Sequence, residues 1–144
     1  MKAETLRIEA ETDHAVEPGE VARIAISPLC CFRCDRVVAA DGDAQGDLAR
    51  FRLSVEVLPA LVPLISYSGQ PLDEDRTRFA REHNAREVAE CAAINATQRA
   101  ELPARDYADR RLKTIKVGQS LALHVRNVSD APAVFRAVLD GIGV

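Results

Sequence analysis

The stretch that decides the fold class of this chain is Lys116-Val-Gly-Gln-Ser-Leu-Ala-Leu-His-Val-Arg-Asn-Val-Ser-Asp-Ala-Pro-Ala-Val-Phe-Arg-Ala-Val-Leu139. In two runs within it, every second residue is a candidate for the core and the residues between them face the other way. This period of two is typical of strands that are buried on one face. The positions that we expect to face the core are Leu121, Leu123, Val125, Phe135, Ala137 and Leu139. The intervening residues 127–132 include Asn, Ser, Asp and Pro, which favour turns. The stretch therefore predicts two adjacent antiparallel strands.

The same alternation recurs in the first half of the chain. Four further segments fit the pattern of short strands, at residues 6–10, 22–26, 31–39 and 51–57. Turn-forming glycine and proline residues separate several of them, and Pro59 and Pro63 end the last. Many short strands joined by such turns favour an all-β fold, an antiparallel β-sandwich. At 144 residues the chain has the length of one domain, with a polar insertion at about residues 58–86.

The segment from Asp73 to Gln98 fits two structures. Asp73, Glu74 and Asp75 suit the first turn of a helix, where acidic side chains complement the helix dipole. We expect a short helix over residues 73–84. Residues 88–97 fit either a continuation of that helix or a strand with small side chains, and we favour the strand because of a resemblance described below.

Composition excludes several classes of function. The formal net charge of −3 argues against a general nucleic-acid binder, which needs a basic surface. No apolar run is long enough for a membrane span, and the N-terminal residues lack the apolar centre of a secretory signal. We therefore expect a protein made in the cytoplasm, with no membrane span, no nucleic-acid partner and no cofactor.

The four cysteines, at positions 30, 31, 34 and 91, allow three interpretations. Cys31 and Cys34 have the spacing of half a zinc site or a redox pair, but no second Cys-x-x-Cys follows. A disulfide is a second possibility, with Cys91 as the distant partner. We favour the third interpretation, buried free thiols.

One acidic loop is a candidate calcium site. Asp41, Asp43 and Asp47 supply carboxylates at alternating positions, and Gly46 permits a sharp turn. Position twelve of the loop, where an EF-hand has a bidentate Glu, is Arg52. A solvated turn is the simpler interpretation, so we predict no metal site. A calcium-assisted, ligand-binding β-sandwich remains the alternative function.

The sequence offers no catalytic constellation. His14, His83 and His124 lie far apart in the sequence, without the His-x-His pair that a cupin-type metal site needs. Neither Gly-x-Ser-x-Gly nor a phosphate-binding loop is present. We therefore predict a protein that is not an enzyme, and a cupin-like enzyme is the least favoured alternative.

Three segments in order resemble a known family. Residues 26–38 resemble Pro-x-x-x-Phe-Arg-Pro-Asp/Glu-Arg-Leu-Val, with Cys34 in place of the second proline. Residues 93–107 resemble a strand and turn followed by Pro-Ala-x-x-Phe/Tyr. The opening stretch is similar to Gly-Gln-x-Ile-x-Leu-x-Val-x-Asn-x-Ser followed by Phe-x-Ala-x-Leu/Ile-x-Gly. Together they resemble small single jelly-roll structural proteins of bacteriophage and bacterial genomes, which are building blocks of capsids or other particles.

The resemblance implies a jelly-roll-like subunit that assembles through repeated interfaces in a virion or other particle. Its partners would be copies of itself or other structural proteins of that particle. The apolar segment after the fourth strand is too apolar for a free loop, and the C-terminal residues are also apolar. The residues that we predict to form contacts are Leu58, Leu61, Val62, Leu64, Ile65, Tyr67, Ile142 and Val144.

Overall fold

Two antiparallel sheets that enclose a common core form the body of the protein in the computed structural model, which describes residues 3–40, 48–98 and 100–144. The elements in chain order are β1 (Glu4–Glu11), β2 (Val21–Ile26), β3 (Phe32–Ala39), β4 (Phe51–Leu58), α1 (Glu74–Gln98), β5 (Leu102–Pro103), a 3₁₀ helix (Ala104–Asp109), β6 (Ser120–Asn127) and β7 (Arg136–Gly143). This architecture confirms the prediction of an antiparallel β-sandwich.

The strands pair in a nested order. One sheet has the order β1-β7-β3 and the other the order β2-β6-β4-β5. Residues 112–115 lie antiparallel to β3, where the Ile115 N–H donates to the Phe32 carbonyl oxygen at 2.9 Å. Thus β1 pairs with β7, β2 with β6, β3 with residues 112–115, and β4 with β5. The chain is therefore one long hairpin folded over on itself, with its tip at β4 and β5.

The core lies between the two sheets, on the faces that the alternation predicts. Leu121, Leu123 and Val125 of β6 are at most 1% exposed, and Leu139 of β7 is fully buried. The rings of Phe51 and Phe135 meet edge to face, with centroids 5.3 Å apart. Each large apolar side chain buried in this way stabilises the fold by about 1.5–3 kcal/mol. The alternation of residues 116–139 thus fixes the packing of the two sheets.

The predicted strand at residues 88–97 is wrong, because α1 runs unbroken from Glu74 to Gln98. Its start is where the acidic residues predict it, and the Asp73 carboxylate accepts the Arg76 N–H at 2.8 Å as an N-cap. The second half is rich in Ala and Glu, which have high helix propensity. The resemblance of residues 93–107 to a strand therefore fails over its first six residues, 93–98.

All four cysteines lie within the described residues and are free thiols. Cys34 and Cys91 are buried, as we predicted, whereas Cys30 and Cys31 are half-buried near the end of the sandwich. Burial raises the pKa of Cys34 to about 12, so this residue is a neutral thiol with the packing role of a small apolar side chain.

Gly141 is required by a bulge in the sheet. The register of β3 against β7 shifts between Cys34 and Arg36, and Gly141 lies opposite Cys34. A Cβ at Gly141 would collide with the Arg33 carbonyl oxygen and lie 2.9 Å from the Cys34 Cα. These are backbone atoms of a paired strand, so the sheet itself would have to shift.

We expect Gly141→Ala to lower the free energy of unfolding by about 2–4 kcal/mol. The matched control is Gly143→Ala, where the nearest atom to an added Cβ is the Cys30 Sγ at 2.9 Å, on a side chain that can rotate. Chemical denaturation of both variants measures the difference. Equal losses would show that the bulge imposes no special constraint.

Candidate functional site

Helix α1 docks on the sandwich through a polar stripe. Its buried residues are Ala80, Glu87, Cys91 and Asn95, and the half-buried Asn84 lies on the same line. Successive members are three or four residues apart, so they share one helix face. Three of the five are polar, and a buried polar side chain needs a hydrogen-bond partner.

The partner of the stripe is the backbone of residues 57–62. The Asn95 side chain accepts the Val57 N–H at 2.7 Å and donates to the Val57 carbonyl oxygen at 3.0 Å. The Asn84 side chain does the same for Val62, at 2.8 and 3.0 Å. Each asparagine side-chain amide thus binds both the N–H and the carbonyl oxygen of one residue, as the backbone of a neighbouring strand would.

Between Val57 and Val62, the backbone of Ala60 binds Glu87 and His83 of the helix. The Glu87 carboxylate accepts the Ala60 N–H at 3.1 Å, and His83 Nε2 donates to the Ala60 carbonyl oxygen at 2.9 Å. The eleven-residue step from Asn84 to Asn95 spans about 16 Å of helix. The five-residue step from Val57 to Val62 spans about the same length when extended. The helix therefore matches the extended segment along its length, and we call these contacts the amide ladder.

The amide ladder continues where strand pairing stops. Strand β5 pairs with β4 only at Arg52 and Leu53, so no strand of the described part of the chain lies beside the rest of that edge. An exposed edge is a template for unwanted pairing, and a covering helix is one way in which proteins protect it. Helix α1 covers this edge and fixes the loop that follows β4.

Glu87 also ties the helix to the loop before β6. Its carboxylate accepts the Gln119 Nε2–H at 2.8 Å, and Gln119 is only 2% exposed. The hydrogen bonds from Gln119 and from the Ala60 N–H hold the pKa of Glu87 below its usual value. Glu87 is therefore ionised at neutral pH, and its negative charge is compensated by fixed donors.

Several loops converge at the end of the sandwich that the amide ladder supports. Ile26, Val57 and Leu121 lie side by side at the ends of their strands. A Cβ added to Gly118 would lie 3.1 Å from the Ala60 Cβ, and the Val144 N–H donates to the Cys31 carbonyl oxygen at 2.9 Å. The segments after β2 and β4, the loop before β6 and the C-terminus therefore meet at one end.

This end concentrates exposed apolar side chains. Seven of the eleven exposed large apolar residues among those described lie in the loops and the C-terminus that leave the sandwich here, each at least 45% exposed. We call this surface the apolar end and define it by Leu29, Leu61, Leu64, Ile65, Tyr67, Val117 and Val144. Phe79 of α1 is 61% exposed and stacks on His83, beside the same loop. Only Val21 and Val128 are comparable at the opposite end.

The two segments that the sequence nominated for contacts both leave the sandwich at this end. Leu61, Leu64, Ile65, Tyr67 and Val144 are exposed, whereas Leu58, Val62 and Ile142 are half-buried. A shallow depression of about 410 Å³ lies between the C-terminus and the neighbouring loops. Its lining includes Leu6, Leu29, Cys30, Val117 and Val144. Leu29 and Val117 were not nominated, because each is a single apolar residue within a short loop.

The other candidate residues do not form a common site. Asp41, Asp43 and Asp47 lie outside the described residues. His124 Nε2 contacts the Glu56 carboxylate at 3.2 Å on the outer face of the second sheet, away from His14. Within residues 3–40, 48–98 and 100–144, no three His, Cys, Asp or Glu side chains are grouped to hold a metal ion.

Known proteins give no further guide to the apolar end. Models of protein families, curated proteins and solved structures returned no match when each was compared with this chain. In the part of the chain that the structure describes, no helix combines the length and apolar character needed to cross a membrane. The geometry of the surface is therefore what bears on function.

Asn95→Ala tests the amide ladder. Loss of the side chain leaves the N–H and carbonyl oxygen of Val57, a residue only 1% exposed, without partners. We expect the free energy of unfolding to fall by about 2–4 kcal/mol and the Val57 amide to exchange faster with solvent. Asn84→Ala is the matched control, because the half-buried Val62 can recruit water and should lose less. Equal protection of the Val57 amide in Asn95→Ala would contradict the ladder.

The contribution of Glu87 to stability should depend on pH. Because its pKa is lowered in the folded protein, its contribution to stability is present above the pKa of the unfolded chain. That contribution is lost as the pH falls through the folded pKa. Glu87→Gln should therefore be less stable than the wild type at neutral pH, and the difference should shrink in acid. Denaturation curves at a series of pH values measure it, and a constant difference would refute the assignment.

Proposed function

We propose that this protein is a structural subunit that assembles into a particle through repeated contacts between copies, and that the apolar end is one contact surface. The observation that carries the proposal is that seven exposed apolar side chains lie in the segments that leave that end. Apolar patches of this kind on a soluble protein typically mark sites of interaction. A second copy is the occupant to which we commit.

The rigidity of the apolar end supports this use. A stable contact buries roughly 800 Å² on each partner, and ordering a flexible loop on binding would offset part of the gain. Here the loop after β4 is already held at Val57, Ala60 and Val62 by the amide ladder. The surface is therefore shaped before it binds, which lowers the entropic cost of assembly.

The order of the strands supports a jelly-roll assignment for the sandwich. Nested pairing of first with last strand, second with second-last, and so on to a central tip is the arrangement of a jelly roll, a fold used by viral capsid proteins. Fold alone does not imply function. The resemblance of residues 26–38 and 116–139 to jelly-roll structural proteins adds the expectation of a bacteriophage virion or related particle. Its partners would be copies of the chain or other structural proteins there.

The test is the oligomeric state. The wild type should form oligomers by light scattering and regular particles or rings by negative-stain electron microscopy. The double variant Leu64→Asp/Ile65→Asp should lose them, because two carboxylates would have to be desolvated in the contact. Val21→Asp/Val128→Asp is the control, with the same added charge on exposed valines at the opposite end.

Two results would overturn the proposal. One is a wild-type protein that stays monomeric at high concentration. The other is equal dissociation by the control pair, which would assign the effect to net charge rather than to the apolar end. Thermal melts establish that each variant is folded.

A further inference from the structure

Strand β1 has a free edge along its whole length. It pairs with β7 on one side, and no described strand pairs with its other side. Natural edge strands are usually short or interrupted by proline or a bulge, because an unpaired edge invites another strand. Strand β1 has eight residues, contains no proline or glycine and keeps a regular register with β7 from Glu4 to Glu11.

The two faces of β1 differ in a way that suits continuation of the sheet. Leu6 and Ile8 point toward the core side and remain half-buried, whereas Ala10 on the same face is buried. Arg7 and Glu9 are on the outer face and exposed. A strand added at this edge would cover the open flanks of Leu6 and Ile8.

Two charged side chains of β1 have no ion-pair partner among the described residues. Glu11 is paired with Arg136 of β7 at 3.0 Å. Arg7 and Glu9 take part in no ion pair among the described residues, although both lie in the middle of the strand. They are also two residues apart, on opposite sides of Ile8.

This spacing is self-complementary. When two copies of β1 pair antiparallel about a two-fold axis, opposite residues must share a face of the sheet. The axis therefore lies midway between the two copies of one residue, which pairs with itself. With Ile8 opposite the second copy's Ile8, Arg7 lies opposite Glu9 and Glu9 lies opposite Arg7. The same register places Leu6 opposite Ala10, so apolar residues meet on the core side.

The neighbouring two-fold registers are unfavourable. Centring on Arg7 places two guanidinium groups opposite each other, and centring on Glu9 does the same with two carboxylates. Like charges directly opposite each other destabilise a strand pair, whereas opposite charges stabilise it. The register centred on Ile8 is therefore selected by the charges of the strand.

We propose that the β1 edges of two copies pair antiparallel about a two-fold axis at Ile8, with reciprocal Arg7–Glu9 ion pairs, and join two three-stranded sheets into one. The contact deepens the proposed function, on which it rests, by naming the symmetry of one interface. It uses a surface different from the apolar end, so the two contacts can be tested separately.

Crosslinking tests the register. Ile8→Cys would place two thiols opposite each other in the pair, close to the separation that a disulfide needs. Cys30 and Cys31, which are half-buried, are both replaced by Ser in every crosslinking protein. Under oxidation Ile8→Cys should form a covalent dimer at a severalfold higher yield than Leu6→Cys, which would face Ala10. Equal yields, or none from Ile8→Cys, would overturn the register.

Mixing of charge variants tests the pairing independently of stability. Arg7→Glu and Glu9→Arg should each abolish β1 dimers, because like charges then oppose each other twice. An equimolar mixture of the two should restore dimers of unlike chains, measured by sedimentation with one chain labelled. A variant that was merely misfolded could not be rescued by a second one, so absence of rescue would count against the pairing.

The apolar end provides the final comparison. Leu64→Asp/Ile65→Asp placed in the Ile8→Cys protein should leave the crosslink yield unchanged while the larger assembly disappears. Loss of the crosslink together with the assembly would show that the β1 strands do not pair without the contact at the apolar end. This result would refute the proposed β1 pairing. Retention of both would refute the role of the apolar end and keep the β1 contact.

Discussion

The structure depends on one constraint: the backbone of residues 57–62 needs hydrogen-bond partners. Strand β5 cannot supply them, because it pairs with β4 only at Arg52 and Leu53. Helix α1 meets this need with side-chain amides and a carboxylate, which pair with Val57, Ala60 and Val62. An unpaired polar backbone group in a buried position is costly, so the ladder sets both the position and the direction of the helix. The first part of the loop after β4, up to Val62, takes its shape from these contacts.

The nested pairing of the strands decides which segments of the chain lie next to each other. Because β1 pairs with β7 and β2 with β6, the N- and C-terminal parts lie together, and the loops between strands are sorted to two ends. Val144 therefore reaches the loop after β2, and Gly118 reaches the loop after β4. Most contacts join residues far apart in sequence, a topology that favours slow folding.

Sequence patterns predict the part of this structure that obeys apolar periodicity. The strands from β1 to β4, and β6 and β7, alternate clearly because one face of each packs on the core. The second half of α1 escaped prediction because its docking stripe consists of Glu87, Cys91 and Asn95, which leave no apolar period to detect. Strand β5 and residues 112–115 are too short to carry a pattern. The run from Leu58 to Tyr67 was identifiable as a surface. That it leaves the sandwich at the same end as Leu29, Val117 and Val144 follows only from the nested topology.

The two proposed contacts have a geometric relation that bears on the size of the assembly. The apolar end lies where β1 begins, since Glu4 and Leu6 line its depression. Antiparallel pairing at Ile8 reverses the direction of the second β1, so a dimer formed in this way would carry its two apolar ends at opposite extremes. A dimer with two identical surfaces that face outward can add further dimers at both ends. The series remains open unless the rotation at each contact closes it into a ring. Edge pairing alone would stop at a dimer, and contacts through the apolar end would be needed to extend it.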